Sequence, residues 1–92
     1  MESIVMKEKH CWVCLAENDL HKHHVFYGTA NRKLSEKYGC WIWLCGKHHN
    51  MSNRGIHFNQ ALDLLVKKTT QEKFEQKFGH QKFMEIFGRS YL

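Results

Sequence analysis

Apolar positions divide this chain into two unlike halves. From His57 onward they recur at helical steps: Leu62, Leu65 and Val66, then Phe74 and Phe78, three and four residues apart, with Lys67, Lys68, Lys73 and Lys77 on the other face. This spacing predicts a helix that Gly79 ends as a C′ residue. Phe83, Met84, Ile86 and Phe87 predict a final short helix closed by Gly88. The aromatic residues of this half are expected to pack as core onto the half before them.

Ahead of His57 the pattern is short and broken. Met1 to Lys9 reads as a short strand or an extended lead-in, and Cys11-Trp12-Val13-Cys14 as a knuckle turn. Glu17-Asn18-Asp19 is turn-like. His21 to Tyr27 alternates loosely, with Val25, Phe26 and Tyr27 favouring strand. Gly28 to Tyr38 reads as a basic connection with a helical turn over Leu34–Tyr38, ended by Gly39. Cys40-Trp41-Ile42-Trp43-Leu44 is a second strand and the most apolar stretch; Cys45 to Asn50 leads into a helix, which Ser52-Asn53-Arg54-Gly55 interrupts. Trp41 and Trp43 alternate with Ile42, so they share a face, with core packing as their expected role. Residues 1–92 are expected to form a single α+β domain, with a motif core over 11–57 and a helical part over 58–92, without internal repeat or linker.

Composition changes this picture in two ways. The chain has 14 Lys and Arg against 9 Asp and Glu, a formal charge of +5, which fits a polyanionic partner. Its first nine residues do not read as a signal peptide, and no apolar run is long enough to span a membrane. A cytoplasmic location is therefore expected. There, Cys-x-x-Cys indicates metal or redox chemistry rather than a structural disulfide. A thioredoxin-like motif would follow a strand in a βαβ unit, and no second strand–helix repeat is present.

All four cysteines and six of the eight histidines fall within residues 11–57. Cys11 and Cys14 form one closely spaced pair, Cys45 and His48 another, with residues 15–44 between them. Each pair fits on one turn, and a Cys3His set is an ordinary tetrahedral zinc site. Cys40 precedes an apolar strand rather than lying in a knuckle, so it reads as a packed free thiol. A zinc staple also suits a chain this small.

That zinc leaves a surplus of ligands. His23 and His24 are adjacent on a strand and point to opposite faces, so one can ligate metal while the other faces substrate. On a helix His49 points about 100° away from His48, and Asn53 shares its face. His57 shares that face only if the helix continues through Gly55. His21, two residues before His23 on the same strand face, either ligates or packs.

The residues Cys11-x-x-Cys14, His23-His24-Val25, Leu44-Cys45-x-x-His48-His49 and Asn53 resemble the HNH endonuclease (His-Me finger) family in its zinc-bearing variety. The resemblance covers Cys11 to about His57 and is greatest to small phage- and prophage-encoded members. The stretches His23–Lys33 and Phe87–Leu92 are also similar to such proteins. It implies a ββα-metal fold with a structural zinc knuckle and C-terminal helices. It also implies that His24 is the general base activating water, and that His23 and His49 bind a catalytic Mg²⁺, Mn²⁺ or other divalent ion, with Asn53 or His57 as third ligand. The family's namesake Asn is absent before the second strand, and Asn31 is the candidate substitute.

The activity implied is metal-dependent hydrolysis of DNA phosphodiesters, with a 5′ phosphate product. Arg32, Lys33 and Arg54 are the candidate phosphate contacts, and Lys67 and Lys68 are further basic positions. Few residues lie outside the motif, so targeting is expected to come from a phage or host protein, from dimerisation or from DNA structure. The competing readings are a non-catalytic treble-clef-like zinc module holding DNA or protein, and an RNase using the same site.

Overall fold

The computed structural model describes residues 1–49 and 55–92. Two short strands, β1 (Leu20–His24) and β2 (Trp41–Cys45), pair antiparallel in register from Leu20 opposite Cys45 to His24 opposite Trp41. A helix, α1 (Thr29–Tyr38), connects them. A single helical turn, α2 (Gly46–His49), follows β2 directly. A 3₁₀ turn over Ile56–Phe58 then leads into the long helix α3 (Gln60–Phe78) and the short helix α4 (His80–Phe87). The architecture is a small α+β domain with one two-stranded sheet.

Three expectations from sequence change here. Of the two readings of Met1 to Lys9, the short strand does not form and the lead-in remains; it crosses the outer face of β2 as a strap. Ser3 Oγ donates to the Trp41 carbonyl at 2.6 Å, and Trp41 Nε1 donates to the Met1 carbonyl at 3.2 Å. The two tryptophans do share a face, with rings 5.5 Å apart, and the strap covers them. Second, β1 ends at His24, before the β-branched and aromatic run. Val25 and Phe26 instead turn inward and are fully buried, because the sheet face available there is the core. Third, the basic connection is helical throughout. Gly28 (φ 98°) opens α1 and Gly39, left-handed at φ 72°, closes it. Ser35, fully buried on this helix, accepts from the Phe26 N–H at 3.2 Å and donates to the Phe26 carbonyl at 2.7 Å, clipping helix to strand end.

Strand alternation sets the chemistry of each face. His21, His23, Ile42 and Leu44 lie on one side; Lys22, His24, Trp41 and Trp43 lie on the other. Ile42 and Leu44 join Phe26, Val66, Phe74 and Phe83 in the core. Phe26 meets Phe83 and Phe87 at ring separations of 5.2 and 4.6 Å, so the C-terminal aromatics do pack onto the sheet segment. Leu65 is the exception to the apolar stripe: it is 53% exposed, whereas Val66 beside it is buried. Asn59 caps α3, its side chain accepting from the Leu62 N–H at 3.0 Å. Among the described residues no helix is long and apolar enough to cross a membrane.

Candidate metal centres

The knuckle turn and the β2–α2 junction bring Cys11, Cys14, Cys45 and His48 together, with one donor atom from each within 4.8 Å of the others. Cys14 Sγ lies 3.7 Å from Cys45 Sγ, and His48 Nδ1 lies 3.3 Å from Cys45 Sγ and 3.8 Å from Cys11 Sγ. A tetrahedron with metal–sulfur bonds of about 2.3 Å and a metal–nitrogen bond of about 2.0 Å has edges of roughly 3.5–3.8 Å. The Cys3His cluster therefore matches a zinc site in donor chemistry and in edge length.

Backbone and thiol electrostatics agree with that reading. Burial raises the Cys11 pKa, but hydrogen bonds with the backbone of Cys45, Cys14 and Val13 outweigh it and bring it to about 6. The Ala16 backbone lowers that of Cys14, yet burial and the neighbouring Cys11 and Cys45 thiols raise it overall. Three thiols at this separation cannot all ionise cheaply without a cation between them. Cys40 stands apart: it is buried outside the cluster, and burial raises its pKa to about 12, as suits an inert packed thiol.

A second cluster lies on the core face of β1. His23, His49 and His57 each offer a ring nitrogen within 4.8 Å of the other two. His23 comes from β1, His49 from the last position of α2 and His57 from the 3₁₀ turn. His49 Nε2 and His57 Nε2 are 3.3 Å apart. His23 is 2% exposed, and burial first, then the neighbouring His49 and His57, lowers its pKa to about 3, so its ring is neutral. Its Nε2 is buried without a hydrogen-bond partner, alone in this among the described residues' side-chain atoms. Leaving such an atom unpaired costs about 1–3 kcal/mol, and neutral imidazoles are good ligands for divalent metals. His23, His49 and His57 therefore fit a cation. Asn53, the alternative third ligand, lies outside the described residues, as does Arg54.

His24 points the other way, to the face of Lys22. Its Nε2 is 2.9 Å from Glu36 Oε1, and Lys22 Nζ donates to both Glu36 oxygens at 3.3 Å. The bond to His24, the largest influence, holds the Glu36 pKa below the ordinary carboxylate value. The partner expected for His24 was Asn31. The structure puts Asn31 in the first turn of α1, and the helix presents Glu36 to His24 instead. A signal for this residue existed: Glu36 is the sole carboxylate in residues 29–38, among Arg32, Lys33 and Lys37.

The two faces of β1 meet at one open cavity of about 470 Å³, lined by Lys22, His23, His24, Arg32, His49 and His57, with Tyr27, Gly28 and Thr29 at its edge. Arg32 thus lines the cavity. Lys33 is exposed and does not line it. Lys67 is held by Asp63 at 2.8 Å and sits over the Tyr27 ring at 4.4 Å, so it braces the edge of the cavity. No protein-family model, curated protein or solved structure matches the chain.

Proposed function

We propose that this chain is a metal-dependent DNA endonuclease or nickase with a ββα-metal active site, built on β1, β2 and α2 beside a structural zinc. One observation carries the reading: a three-histidine cluster anchored on the buried His23 and a separate histidine–carboxylate pair open into the same basic cavity. A zinc module that only binds DNA or protein has a use for the Cys3His cluster. It has none for the second set.

In this reading His23, His49 and His57 hold the catalytic divalent ion. That ion would supply Lewis-acid stabilisation of the charge developing on the phosphate and the leaving oxygen. The chain's own residues do the rest. Lys22 and Arg32 attract the phosphodiester backbone into the cavity. Glu36 accepts a hydrogen bond from His24 Nε2–H, which leaves the Nδ1 lone pair as the base. His24 removes a proton from water as the water oxygen bonds to phosphorus. The bond from phosphorus to the 3′ oxygen breaks, and that oxygen takes a proton from solvent. The products are a 5′ phosphate and a 3′ hydroxyl.

The test is nicking of supercoiled plasmid after EDTA treatment, with Mg²⁺, Mn²⁺ or Ni²⁺ restored, for wild type and His24→Ala. Metal-dependent nicking by wild type alone, at equal zinc content and circular dichroism, is expected. Absence of nicking with every metal would overturn the proposal. Cleavage of RNA but not plasmid would replace it with the RNase reading.

A further inference from the structure

We propose that Asp19 and His21 form a relay that fixes His49 in the tautomer whose Nε2 lone pair faces the metal centre. The inference rests on the three-histidine metal site of the proposed function and assigns two positioning residues outside it. His21 Nε2 is 3.2 Å from Asp19 Oδ1, and His21 Nδ1 is 3.0 Å from His49 Nδ1. The far nitrogen of His49 is the one that faces His57 Nε2 at 3.3 Å.

Counting protons along this chain of contacts leaves one assignment for neutral rings. An ionised carboxylate only accepts, so His21 carries its proton on Nε2 and donates it to Asp19. Its Nδ1 is then a lone pair. The contact between the two Nδ1 atoms needs one proton, and that proton sits on His49. The Nε2 of His49 is consequently free to ligate. Partners of this kind orient metal-binding histidines and raise their basicity.

The backbone supports the relay from both ends. Asp19 has φ 53°, and its carbonyl accepts from the Gly46 N–H at 3.1 Å, the first residue of the helical turn that carries His49. The carboxylate and the ligand are therefore fastened to the same junction. The His21 and His49 rings meet edge to face, 5.1 Å apart. His21 itself has no nitrogen left for a metal, and it lies outside the group of His23, His49 and His57. In this proposal His21 neither ligates nor merely packs.

The test uses zinc-loaded protein titrated with Co²⁺, read by ligand-field absorption and calorimetry, with long-range ¹H–¹⁵N NMR reporting the His49 tautomer. His21→Ala is expected to weaken Co²⁺ binding about 10- to 100-fold, to keep the band positions, and to release His49 into a mixture of tautomers. His21→Asn, whose side-chain oxygen can take the place of the Nδ1 acceptor, should recover most of the loss. Asp19→Gly keeps the positive φ and should weaken binding in the same direction. Unchanged affinity and tautomer in both His21→Ala and Asp19→Gly would overturn the relay alone. A changed ligand field in His21→Ala would also overturn it, by making His21 a ligand. Failure of wild type to bind Co²⁺ through nitrogen would overturn the metal centre itself.

Discussion

His23 and His24 are neighbours in sequence, yet their surroundings differ. His23 is buried, neutral and without a hydrogen-bond partner for Nε2, whereas His24 is partly exposed and tied to a carboxylate. Strand alternation separates them, and the end of β1 lets both reach one cavity. If Glu36 orients the base, Glu36→Ala should slow nicking by about 10²-fold, the lower end of what a positioned general base contributes. Zinc content should not change, because Glu36 touches neither metal cluster. A single-turnover assay beside zinc analysis checks both halves of the statement. That His23 and His24 face opposite ways could be anticipated, since strand alternation is a local rule. Glu36 stands out in sequence only as the sole carboxylate of residues 29–38; its contact with His24 depends on how α1 crosses β1, twelve residues away along the chain.

Among the elements, α1 shows how small features position the site. Gly39 ends it at φ 72°, and a Cβ there would strike the Glu2 carbonyl in the N-terminal strap. Gly39→Ala should therefore lower stability by about 1–2 kcal/mol from backbone strain alone, with more from the displaced strap; thermal unfolding measures it. The helical stripe of α3 behaves less simply. Leu65→Ser should change stability by less than about 0.5 kcal/mol, because Leu65 is exposed, and a urea midpoint is a sufficient check. At the α3–α4 corner, Glu75 accepts from Gln71 Nε2 and lies 2.7 Å from His80 Nδ1. Burial raises the Glu75 pKa, but Gln71 and His80 outweigh it, so the folded value is lowered. Below the ordinary carboxylate value the unfolded chain binds this proton more readily than the folded one, so stability falls as pH falls through that region. Glu75→Gln should show a shallower acid-side loss than wild type when urea midpoints are compared across pH 3–6.

At the scale of the whole molecule, the core and the Cys3His cluster that could hold zinc are one structure. Cys11 and Cys45 are buried in the same cluster as Ile42, Leu44, Phe74 and Phe83. Cys14→Ser should therefore unfold or strongly destabilise the domain, since binding energy at such a site is folding energy; zinc analysis with circular dichroism tests this, and a stable, zinc-free Cys14→Ser protein would contradict it. Phe74→Ala should cost about 3–5 kcal/mol, because Phe74 is fully buried and in ring contact with Tyr38, Phe83 and Phe87.

The sequence by itself determined what depends on short spacing and residue chemistry. The close spacing of Cys11/Cys14 and of Cys45/His48 put two candidate metal ligands on each turn, and alternation put His23 and His24 on opposite faces. The C-terminal periodicity placed Val66, Phe74 and Phe83 in the core. The tertiary structure decided what depends on distant surfaces meeting. It brought His57 from the 3₁₀ turn to His23 and His49, chose Glu36 over Asn31 as the partner of His24, and linked Asp19 and His21 to His49. It also turned Val25 and Phe26 from strand into core, because burial of two large apolar side chains outweighs a propensity of at most about 1 kcal/mol. Local rules fix which face a side chain takes; only the packed chain fixes what stands opposite it.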